Sequence, residues 1–565
     1  MLFYVFLAIL LVTQLMNFYS PYIASKGANM LSTLKDHFKN QFINNCFLMP
    51  ALTLLFLTIG SLFNVVSAQN NNAGGTDEYY PKGDIYVSPN GSDENQGSEA
   101  SPYKTLDKAL GTVTAGKVIY LRGGVYNIRE TVIIQQNGSS DALIRLFAYR
   151  NEAPVLSFSQ MSEDPSNRGV ILNADYWHFR GITIEQAGDN GMLLSGNSNK
   201  IEKCVFRKNR DSGLQMSRYD TKANNISQWP SNNLILECES YDNCDSDNED
   251  ADGFAPKLTC GTGNVFRRCV SHHNIDDGWD LYSKSETGPI GTITLDQCIA
   301  HNNGSLTDNK TSGNGDKNGF KLGSSATKTN HIVRRCIAFK NGKHGFTDNG
   351  NTSSIEFINN TSWSNGDYNF HTRDGATHVF KNNVSFGGKS NDRIVGNYSA
   401  PNALTASKIE WPFTVTSSDF ISMIPGPDSN PVSNGFLTPK DGNRLVDAGV
   451  AVDGIGFYGN SPDLGAVETG GEDQVYVEKK CNSRISKGKM INVKNSTVTI
   501  PCEMSSNGNV FIYITDCIGR TVYSDKSSKK HGIYVSKINT MNWAGGTYYV
   551  SIIADKRMSY KFILH

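Results

Sequence analysis

The chain has 565 residues and nearly balanced charge, with 53 basic and 54 acidic side chains and a formal net charge of −1. That balance excludes a protein that binds nucleic acid by neutralising phosphates, so we expect no nucleic-acid partner. The 53 glycines and the low charged fraction of 19% disfavour a helical bundle or a coiled coil. The length predicts more than one domain.

Residues 1–68 are predicted to be an N-terminal extension with a signal peptide. Residues 46–66 form an apolar run. Basic residues precede this run, and a Val-Ser-Ala cleavage motif stands at its end. A membrane anchor is the alternative, because the run is long enough to span a bilayer. We expect cleavage, no stable membrane span afterwards, and a secreted or cell-surface bacterial protein. Met1 and Met30 are both candidate starts.

A repeat occupies the middle of the chain. Five cysteines stand in a common sequence context, and an asparagine follows each of them five residues later. The pairs are Cys204 and Asn209, Cys238 and Asn243, Cys269 and Asn274, Cys298 and Asn303, and Cys336 and Asn341. A cysteine that recurs at one repeat position predicts a small buried apolar residue rather than a disulfide framework.

The repeat length predicts a parallel β-helix over residues 84–470, after a linker at 69–83. A glycine motif recurs about every 25 residues where no insertion intervenes, with short β-branched and aromatic runs between the glycines. A propeller would show a longer period with four strands per unit, and leucine-rich repeats would show regularly spaced leucines. The stretch Thr105–Leu110 is predicted to form a short capping helix.

Equal repeat positions stack about 4.8 Å apart in a parallel β-helix. The position before the motif glycine carries Asp252 and Asp277 on successive turns, and the position two after it carries Asp280 and Lys321. Asp276 adds a carboxylate beside Asp277. The register therefore predicts a patch of four acids and one lysine.

This patch predicts a cation site with a base beside it. Neighbouring carboxylates repel, so a hard cation such as Ca²⁺ is their natural partner, whereas solvated turn aspartates are the alternative. Beside Ca²⁺ the pKa of Lys321 is expected to fall, which makes its amine a general base. A cation and a base without a nucleophile favour β-elimination from a uronic-acid polysaccharide, with Lys321 removing the C5 proton. The insertions at 244–251 and 304–317 are expected to wall a cleft.

The sequence motifs around these residues resemble polysaccharide lyase family 9. The motifs are Asp252-Gly-Phe-Ala-Pro-Lys, Gly263-Asn-Val-Phe, Asp276-Asp-Gly-Trp-Asp-Leu-Tyr and Asn318-Gly-Phe-Lys-Leu-Gly. The resemblance implies a right-handed parallel β-helix lyase that cuts pectate or rhamnogalacturonan. It also implies that Asp252, Asp276, Asp277 and Asp280 form a Ca²⁺ site. The catalytic base that it implies is Lys321. Which pectic backbone is cut, and whether from an end, stays open.

Further side chains are candidates for holding sugars, with ordinary surface polarity as the alternative for each of them. They are Lys257, Arg218, Lys343, His371 and Arg373. Lys257 is also a rival for the base, although it lies two positions past the repeat position that Lys321 occupies.

Residues 471–565 are predicted to form a small C-terminal β-sandwich, because alternating strands replace the repeat there. This region resembles the C-terminal sorting domain of the type IX secretion route, which implies a secretion machinery as partner. A carbohydrate-binding or spacer module is the alternative. The predicted fold class is all-β, a right-handed parallel β-helix followed by this sandwich.

Two other functions stay open beside a lyase acting on a pectic polysaccharide. A β-helix hydrolase of the polygalacturonase type needs acid and base carboxylates at glycosidase spacing. Its usual Gly-His-Gly and Arg-Ile-Lys signatures are absent, although Asp276 and Asp277 are adjacent. A non-catalytic carbohydrate-binding β-helix is the other. Neither function needs a base at Lys321.

Overall fold

The computed structural model describes residues 80–406, 414–453 and 455–470 and most strands of the C-terminal region. The C-terminal ranges described are 493–494, 497–504, 508–516, 521–530, 532–540, 546–553 and 558–564. The predicted signal peptide and most of the predicted linker lie outside these residues. The chain divides into two units, Met1–Glu78 and Tyr79–His565. Among the described residues, no helix has the length and apolar character needed to cross a membrane.

Three parallel sheets, which we call A, B and C, are built from strands that the chain visits in turn. The twelve strands of sheet A are Ile85–Val87, Val118–Leu121, Ile144–Ala148, Trp177–Arg180, Lys200–Glu202, Leu234–Leu236, Asn264–Arg267, Ile293–Asp296, Ile332–Arg334, Glu356–Ile358, His378–Lys381 and Gly396–Asn397. The ten strands of sheet B are Gly124–Asn127, Pro154–Ser157, Thr183–Glu185, Val205–Arg207, Glu239–Tyr241, Val270–His272, Ile299–His301, Ile337–Phe339, Thr361–Trp363 and Val384–Phe386. The nine strands of sheet C are Val132–Ile134, Val170–Leu172, Met192–Leu194, Leu214–Met216, Phe254–Ala255, Trp279–Asp280, Phe320–Lys321, Phe346–Thr347 and Phe370–His371. This is the predicted parallel β-helix.

The register of sheet C matches the register predicted from the repeat. Asp280 lies directly opposite Lys321 on the next strand, and Thr347 and then His371 continue the same row. Because the side-chain period of a strand is two, a slip by one residue would have sent these side chains to the other face.

Stacked aromatic rings fill the inner face of sheet C. The ring centroids of Trp279 and Phe320 are 4.8 Å apart, those of Phe320 and Phe346 are 4.8 Å apart, and those of Phe346 and Phe370 are 4.9 Å apart. This spacing equals that of hydrogen-bonded strands, so one ring is supplied by each turn. The stack fixes where each following residue on the outer face lies.

The recurring cysteines are buried and free, as predicted. The free cysteines among the described residues are Cys204, Cys238, Cys244, Cys260, Cys269, Cys298 and Cys336. The cysteine column therefore packs as small apolar side chains inside the helix.

The asparagines that follow these cysteines form a buried ladder. Each side-chain amide donates to the side-chain carbonyl of the next asparagine, over distances between 2.8 and 3.0 Å. The members are Asn209, Asn243, Asn274, Asn303 and Asn341, and Asn365 continues the ladder. The ladder satisfies polar groups at a corner that every turn of the helix must make.

Replacing Asn274 with alanine is expected to lower the free energy of unfolding by about 1–3 kcal/mol for each buried partner left unpaired. Its amide nitrogen lies within 3.1 Å of the carbonyl oxygen of Ser240 and the hydroxyl oxygen of Ser271, and its side-chain carbonyl accepts from Asn243. Urea unfolding followed by circular dichroism measures the effect. Asn330→Ala is the control, since Asn330 is exposed and should change stability by about 0.5 kcal/mol at most.

A short α-helix, Leu106–Leu110, lies near the first strands, where the sequence predicts a capping helix. The Thr105 hydroxyl accepts a hydrogen bond from the backbone N–H of Lys108 and caps the helix N-terminus. Three 3₁₀ turns complete the helical residues described: Ile226–Gln228, Ser417–Asp419 and Ser433–Gly435.

Sheet B is covered on its outer side by residues 414–453 and 455–470, which we call the covering segment. Val270, Ile299 and Ile337 of sheet B are buried in one apolar cluster with Phe436 and Leu445 of this segment. The chain therefore returns along the helix after the last strands and protects one face from water.

The C-terminal region contains two antiparallel sheets. One consists of Val493–Lys494, Thr497–Met504 and Gly532–Asn539, and the other of Gly508–Asp516, Thr521–Lys529, Gly546–Ile553 and Met558–Leu564. Buried residues of both sheets, including Val498, Ile538, Ile512 and Val550, form a single apolar cluster. Two sheets around one core is the arrangement of a small β-sandwich.

Candidate functional site

Three buried carboxylates meet at one edge of sheet C. Asp252 and Asp277 come just before the strands Phe254–Ala255 and Trp279–Asp280, and Asp280 ends the second of these strands. One oxygen of each carboxylate lies within 4.8 Å of the others, and all three residues are buried. The stacking of equal repeat positions brings them together, as the register predicted.

The electrostatics of this group show an excess of buried negative charge. Burial raises the pKa of Asp252 to about 8, although the Lys257 ammonium opposes this. Burial also raises the pKa of Asp277 to about 6 against the opposing charge of Lys321. The Oδ2 atom of Asp277 is buried and accepts no hydrogen bond of regular geometry, and its charged partner is Lys321 Nζ at 3.2 Å. A buried carboxylate oxygen held only by an ion pair, among further carboxylates, fits a bound cation, since oxygen ligands of this kind suit hard divalent metals.

Two lysine ammonium groups flank the three carboxylates. Lys321 Nζ lies 3.2 Å from Asp277 Oδ2 and 3.7 Å from Asp280 Oδ2. Lys257 Nζ lies 2.8 Å from Asp252 Oδ2 and 3.5 Å from Asp280 Oδ2. Burial by itself lowers the pKa of Lys321, but the charges of Asp277 and Asp280 outweigh it and raise that pKa. The two lysines therefore offset part of the negative charge of these acids.

Asp276 is buried next to the group and contacts the insertion at 304–317. Its Oδ1 atom accepts hydrogen bonds from the backbone N–H groups of Asp316 and Lys317. Burial and the neighbouring Asp277 raise its pKa well above the usual range. Asp276, the fourth predicted ligand, thus uses one oxygen to hold this insertion in place. Its carboxylate is not among the three that converge within 4.8 Å.

The two insertions meet beside the site. The backbone N–H of Gly313 donates to the carbonyl of Asn248 at 2.9 Å, which joins the insertion at 304–317 to the one at 244–251. The expectation that both insertions leave the same edge of the helix agrees with this contact.

Asp316 is a residue of the site that the sequence analysis missed. Its Oδ2 atom lies 3.0 Å from Lys321 Nζ, and its Oδ1 atom lies 3.1 Å from Lys343 Nζ. It occupies no repeat position, so the register said nothing about it. The sequence offered only one indication, namely that Asp316 lies in the insertion at 304–317, which leaves the helix at the same edge as the acids.

Two of the predicted sugar-binding residues, Lys343 and His371, lie on turns of the β-helix that follow the turn of Lys321. Lys343 shares Asp316 with Lys321, and His371 lies two strands further along the same row. The His371 ring stacks against His344 and Tyr368, with centroid distances of 4.4 and 4.7 Å. These rings form an aromatic surface next to the site.

The two predicted arginines are held by local partners. Arg218 donates from its guanidinium to the carbonyl of Ala223 and to the side chain of Asn224, which fastens its own loop. Arg373 donates to Asp348 at 2.9 Å. A role of either arginine toward a ligand stays a prediction.

The raised aspartate pKa values predict that Asp252 and Asp277 destabilise the metal-free protein increasingly as the pH rises from about 4 to about 8. An acid whose pKa is higher in the folded state binds its proton more tightly when folded. Its ionisation at higher pH therefore favours unfolding. Buried histidines with lowered pKa values act in the opposite direction, so the test is the difference between Asp252→Asn and the wild type in melting temperature with chelator. This difference should grow in favour of the variant as the pH rises from about 4 to about 8, and a difference that stays constant would contradict the argument.

Comparison with known proteins adds a family to this geometry. Residues 85–387 match the sequence profile described as "Pel9A-like, right handed beta helix region". The chain belongs to the Pel9A-like β-helix family. Membership confirms the predicted resemblance and the right-handed helix.

Similar proteins and solved structures have named activities. Pectate lyase L of Paenibacillus polymyxa (strain SC2) is 45% identical over 407 residues, which cover 69% of this chain and 88% of that protein. The crystal structure of pectate lyase Pel9A aligns with a TM-score of 0.60 at 29% identity, over 69% of this chain and 97% of that one. A rhamnogalacturonan lyase of 22% identity aligns with a TM-score of 0.51, over 63% of this chain and 96% of that one, and shares the fold.

The C-terminal strands match a second profile. Residues 492–565 match the family described as "Secretion system C-terminal sorting domain". The predicted resemblance to a sorting domain is confirmed, and it indicates secretion or cell-surface export.

Proposed function

We propose that this chain is a Ca²⁺-dependent polysaccharide lyase that cleaves pectate by β-elimination, with Lys321 as the base. The observation that carries the proposal is a buried lysine amine 3.2 Å from a buried carboxylate oxygen, within a group of three converging acids. The relatives support the same reaction class, since pectate lyases are found at 45% and 29% identity over most of this chain.

Asp252, Asp277 and Asp280 would hold the Ca²⁺ ion, and Asp276 would assist through its remaining oxygen. Carboxylate oxygens are the ligands that Ca²⁺ prefers, and the excess of buried charge here matches a divalent cation. When bound, Ca²⁺ neutralises the substrate carboxylate and stabilises the negative charge that develops beside it.

Lys321 would take the proton from C5 of the uronate. The electron pair of the C5–H bond then forms the C4–C5 double bond, the C4–O bond breaks, and the departing sugar oxygen takes a proton from water. The amine must be neutral to accept a proton. Burial favours the neutral amine, and its influence on the pKa of Lys321 grows once the charges of Asp252, Asp277 and Asp280 are compensated.

The side chains around Lys321 would position the polymer. Lys343 is half exposed and offers a charge for a uronate carboxylate, while Asp316 holds the Nζ atoms of Lys321 and Lys343 in place. The aromatic surface of His344, Tyr368 and His371 offers faces against which a sugar ring packs. Arg218, Arg373 and Lys257 are proposed as weaker contributors to substrate binding.

The test is ultraviolet absorbance of the product on polygalacturonate and on rhamnogalacturonan I, with Ca²⁺ and then with a chelator. Elimination makes a conjugated unsaturated uronate that absorbs, whereas hydrolysis does not. A Ca²⁺-dependent rise on polygalacturonate is expected. New reducing ends without absorbance would replace the lyase by a hydrolase, and silence on both polymers from the folded, Ca²⁺-loaded protein would favour a binding module.

The terminal regions are proposed to serve export. The signal peptide predicted in residues 1–68 would carry the chain across the inner membrane. The C-terminal sheets would then present it to the type IX machinery, which the match to a sorting domain supports. A secreted location suits the substrate, because pectic polymers are too large to enter a cell.

A further inference from the structure

A second cluster of metal-ligating side chains lies under the covering segment, on sheet B rather than sheet C. His272 ends the strand Val270–His272, His273 follows it at the corner, and Asp428 belongs to the covering segment. One ligand atom from each of the three lies within 4.8 Å of the others. The Nδ1 atoms of the two histidines are 2.9 Å apart.

The ring of His272 is fixed in place before any ligand arrives. Its Nε2 atom lies 3.0 Å from a carboxylate oxygen of Glu239. A carboxylate accepts, so Nε2 of the neutral ring carries the proton and Nδ1 keeps a free lone pair. The ring is buried and stacks between Tyr241 and His301, with both centroid distances 4.9 Å.

Asn302 decides which nitrogen of His273 is free. Its amide nitrogen lies 3.1 Å from His273 Nε2, and its amide oxygen is buried without a hydrogen-bond partner. The amide oxygen and nitrogen are interchangeable by a half-turn of the side chain. The turned amide accepts from a protonated Nε2 and leaves His273 Nδ1 with a lone pair, whereas the unturned amide donates to Nε2 and leaves the Nδ1–H of His273 to bond His272 Nδ1.

With the amide turned, two nitrogen lone pairs meet across 2.9 Å and repel unless they share a cation. Two nitrogens that bind one Zn²⁺ ion at 2.0–2.1 Å lie about 2.9 Å apart at a right angle and about 3.3 Å apart at a tetrahedral angle, so a small opening of the pair suits a shared metal. Histidines whose second ring nitrogen is held by a carboxylate or amide oxygen are the usual form of metal ligand.

Asp428 reaches the cluster from a distant part of the sequence. The Nε2 atom of His301 donates to the backbone carbonyl of Asp428 at 3.1 Å and holds that residue over the two histidines. The Asp428 side chain is exposed, so an ion has a route from solvent.

We propose that His272, His273 and Asp428 bind a divalent transition-metal ion, with Zn²⁺ as the best match. Imidazole nitrogen with one carboxylate suits Zn²⁺, whereas Ca²⁺ takes oxygen ligands, so this site differs in chemistry from the three aspartates of sheet C. The ion would link the covering segment to sheet B and stabilise the fold outside the cell.

The test is calorimetric titration of tag-free, full-length protein with Zn²⁺, in excess Ca²⁺ that fills the aspartate cluster. One Zn²⁺ per chain is expected, and an anomalous difference peak at the zinc edge should lie about 2 Å from both Nδ1 atoms and beside Asp428. His273→Asn and Asp428→Asn should abolish or strongly weaken binding. Glu239→Gln should weaken it roughly 10–100-fold, the usual effect of losing a group that orients a ligand.

A matched control is available on sheet A. His178 also pairs with a glutamate, Glu202, at 2.7 Å, but it belongs to neither cluster of converging metal ligands. His178→Gln should leave Zn²⁺ affinity unchanged. Zn²⁺ should also raise the melting temperature of the wild type and not that of Asp428→Asn. Absence of Zn²⁺ uptake, or uptake by His273→Asn at wild-type affinity, would overturn the proposal.

Discussion

Lys321→Ala is expected to lower the turnover of pectate roughly 10²–10⁴-fold, the usual contribution of a general base. Ca²⁺ affinity should stay at the wild-type value or increase. The reason is that Lys321 Nζ lies 3.2 Å from Asp277 Oδ2, so the ammonium competes with the ion for the same oxygen. Product absorbance gives the turnover, and calorimetric titration gives the affinity.

Lys321→Arg separates proton transfer from the effect of positive charge. A guanidinium keeps the charge and donates to the same carboxylates, but it does not become neutral in a protein. We therefore expect Arg to be as inactive as Ala. If charge alone mattered, Arg would retain most of the activity.

Lys343→Ala is the matched control. Lys343 also contacts Asp316, but among the described ion pairs it has none with Asp252, Asp277 or Asp280. It should raise KM more than it lowers kcat. Lys257→Ala tests the rival base. Full activity in Lys321→Ala together with its loss in Lys257→Ala would move the assignment to Lys257.

The sequence predicted the site wherever the repeat determined position. Asp280 and Lys321 face each other because equal positions of a β-helix stack, and that period is visible in the spacing of the glycines. The buried cysteines and the asparagine ladder follow from the same period. These features needed no knowledge of loops or of distant contacts.

Features that depend on insertions or on distant segments were beyond reach of the sequence. Asp316 lies in an insertion with no repeat position, and it meets Lys321 only because the loop folds back over the edge. Asp428 lies over His272 and His273 because the covering segment returns along sheet B. No periodic pattern predicts the path of that segment.

Asp277→Asn is expected to weaken Ca²⁺ binding strongly. Loss of a residue that only orients a metal ligand typically costs roughly 10–100-fold in affinity, and loss of a direct ligand should cost more. The substitution keeps size and one oxygen. The Asn318 backbone N–H and side-chain amide, which donate to Asp277 Oδ1 at 2.7 and 2.9 Å, keep their acceptor. What is lost is the negative charge on Asp277 Oδ2, the oxygen that lies 3.2 Å from Lys321 Nζ. Activity should fall at low Ca²⁺ and recover partly at high Ca²⁺.

The same substitution should stabilise the metal-free protein at neutral pH. Burial raises the pKa of Asp277 to about 6, so its ionised form costs folding free energy at pH 7, and asparagine removes that cost. Asp316→Asn is the control, because its carboxylate is 39% exposed and water screens its charge, so Ca²⁺ affinity should change little. A protein that is weaker in Ca²⁺ binding yet more stable without Ca²⁺ identifies Asp277 as a ligand rather than a structural residue. Unchanged Ca²⁺ affinity in Asp277→Asn would place the ion elsewhere.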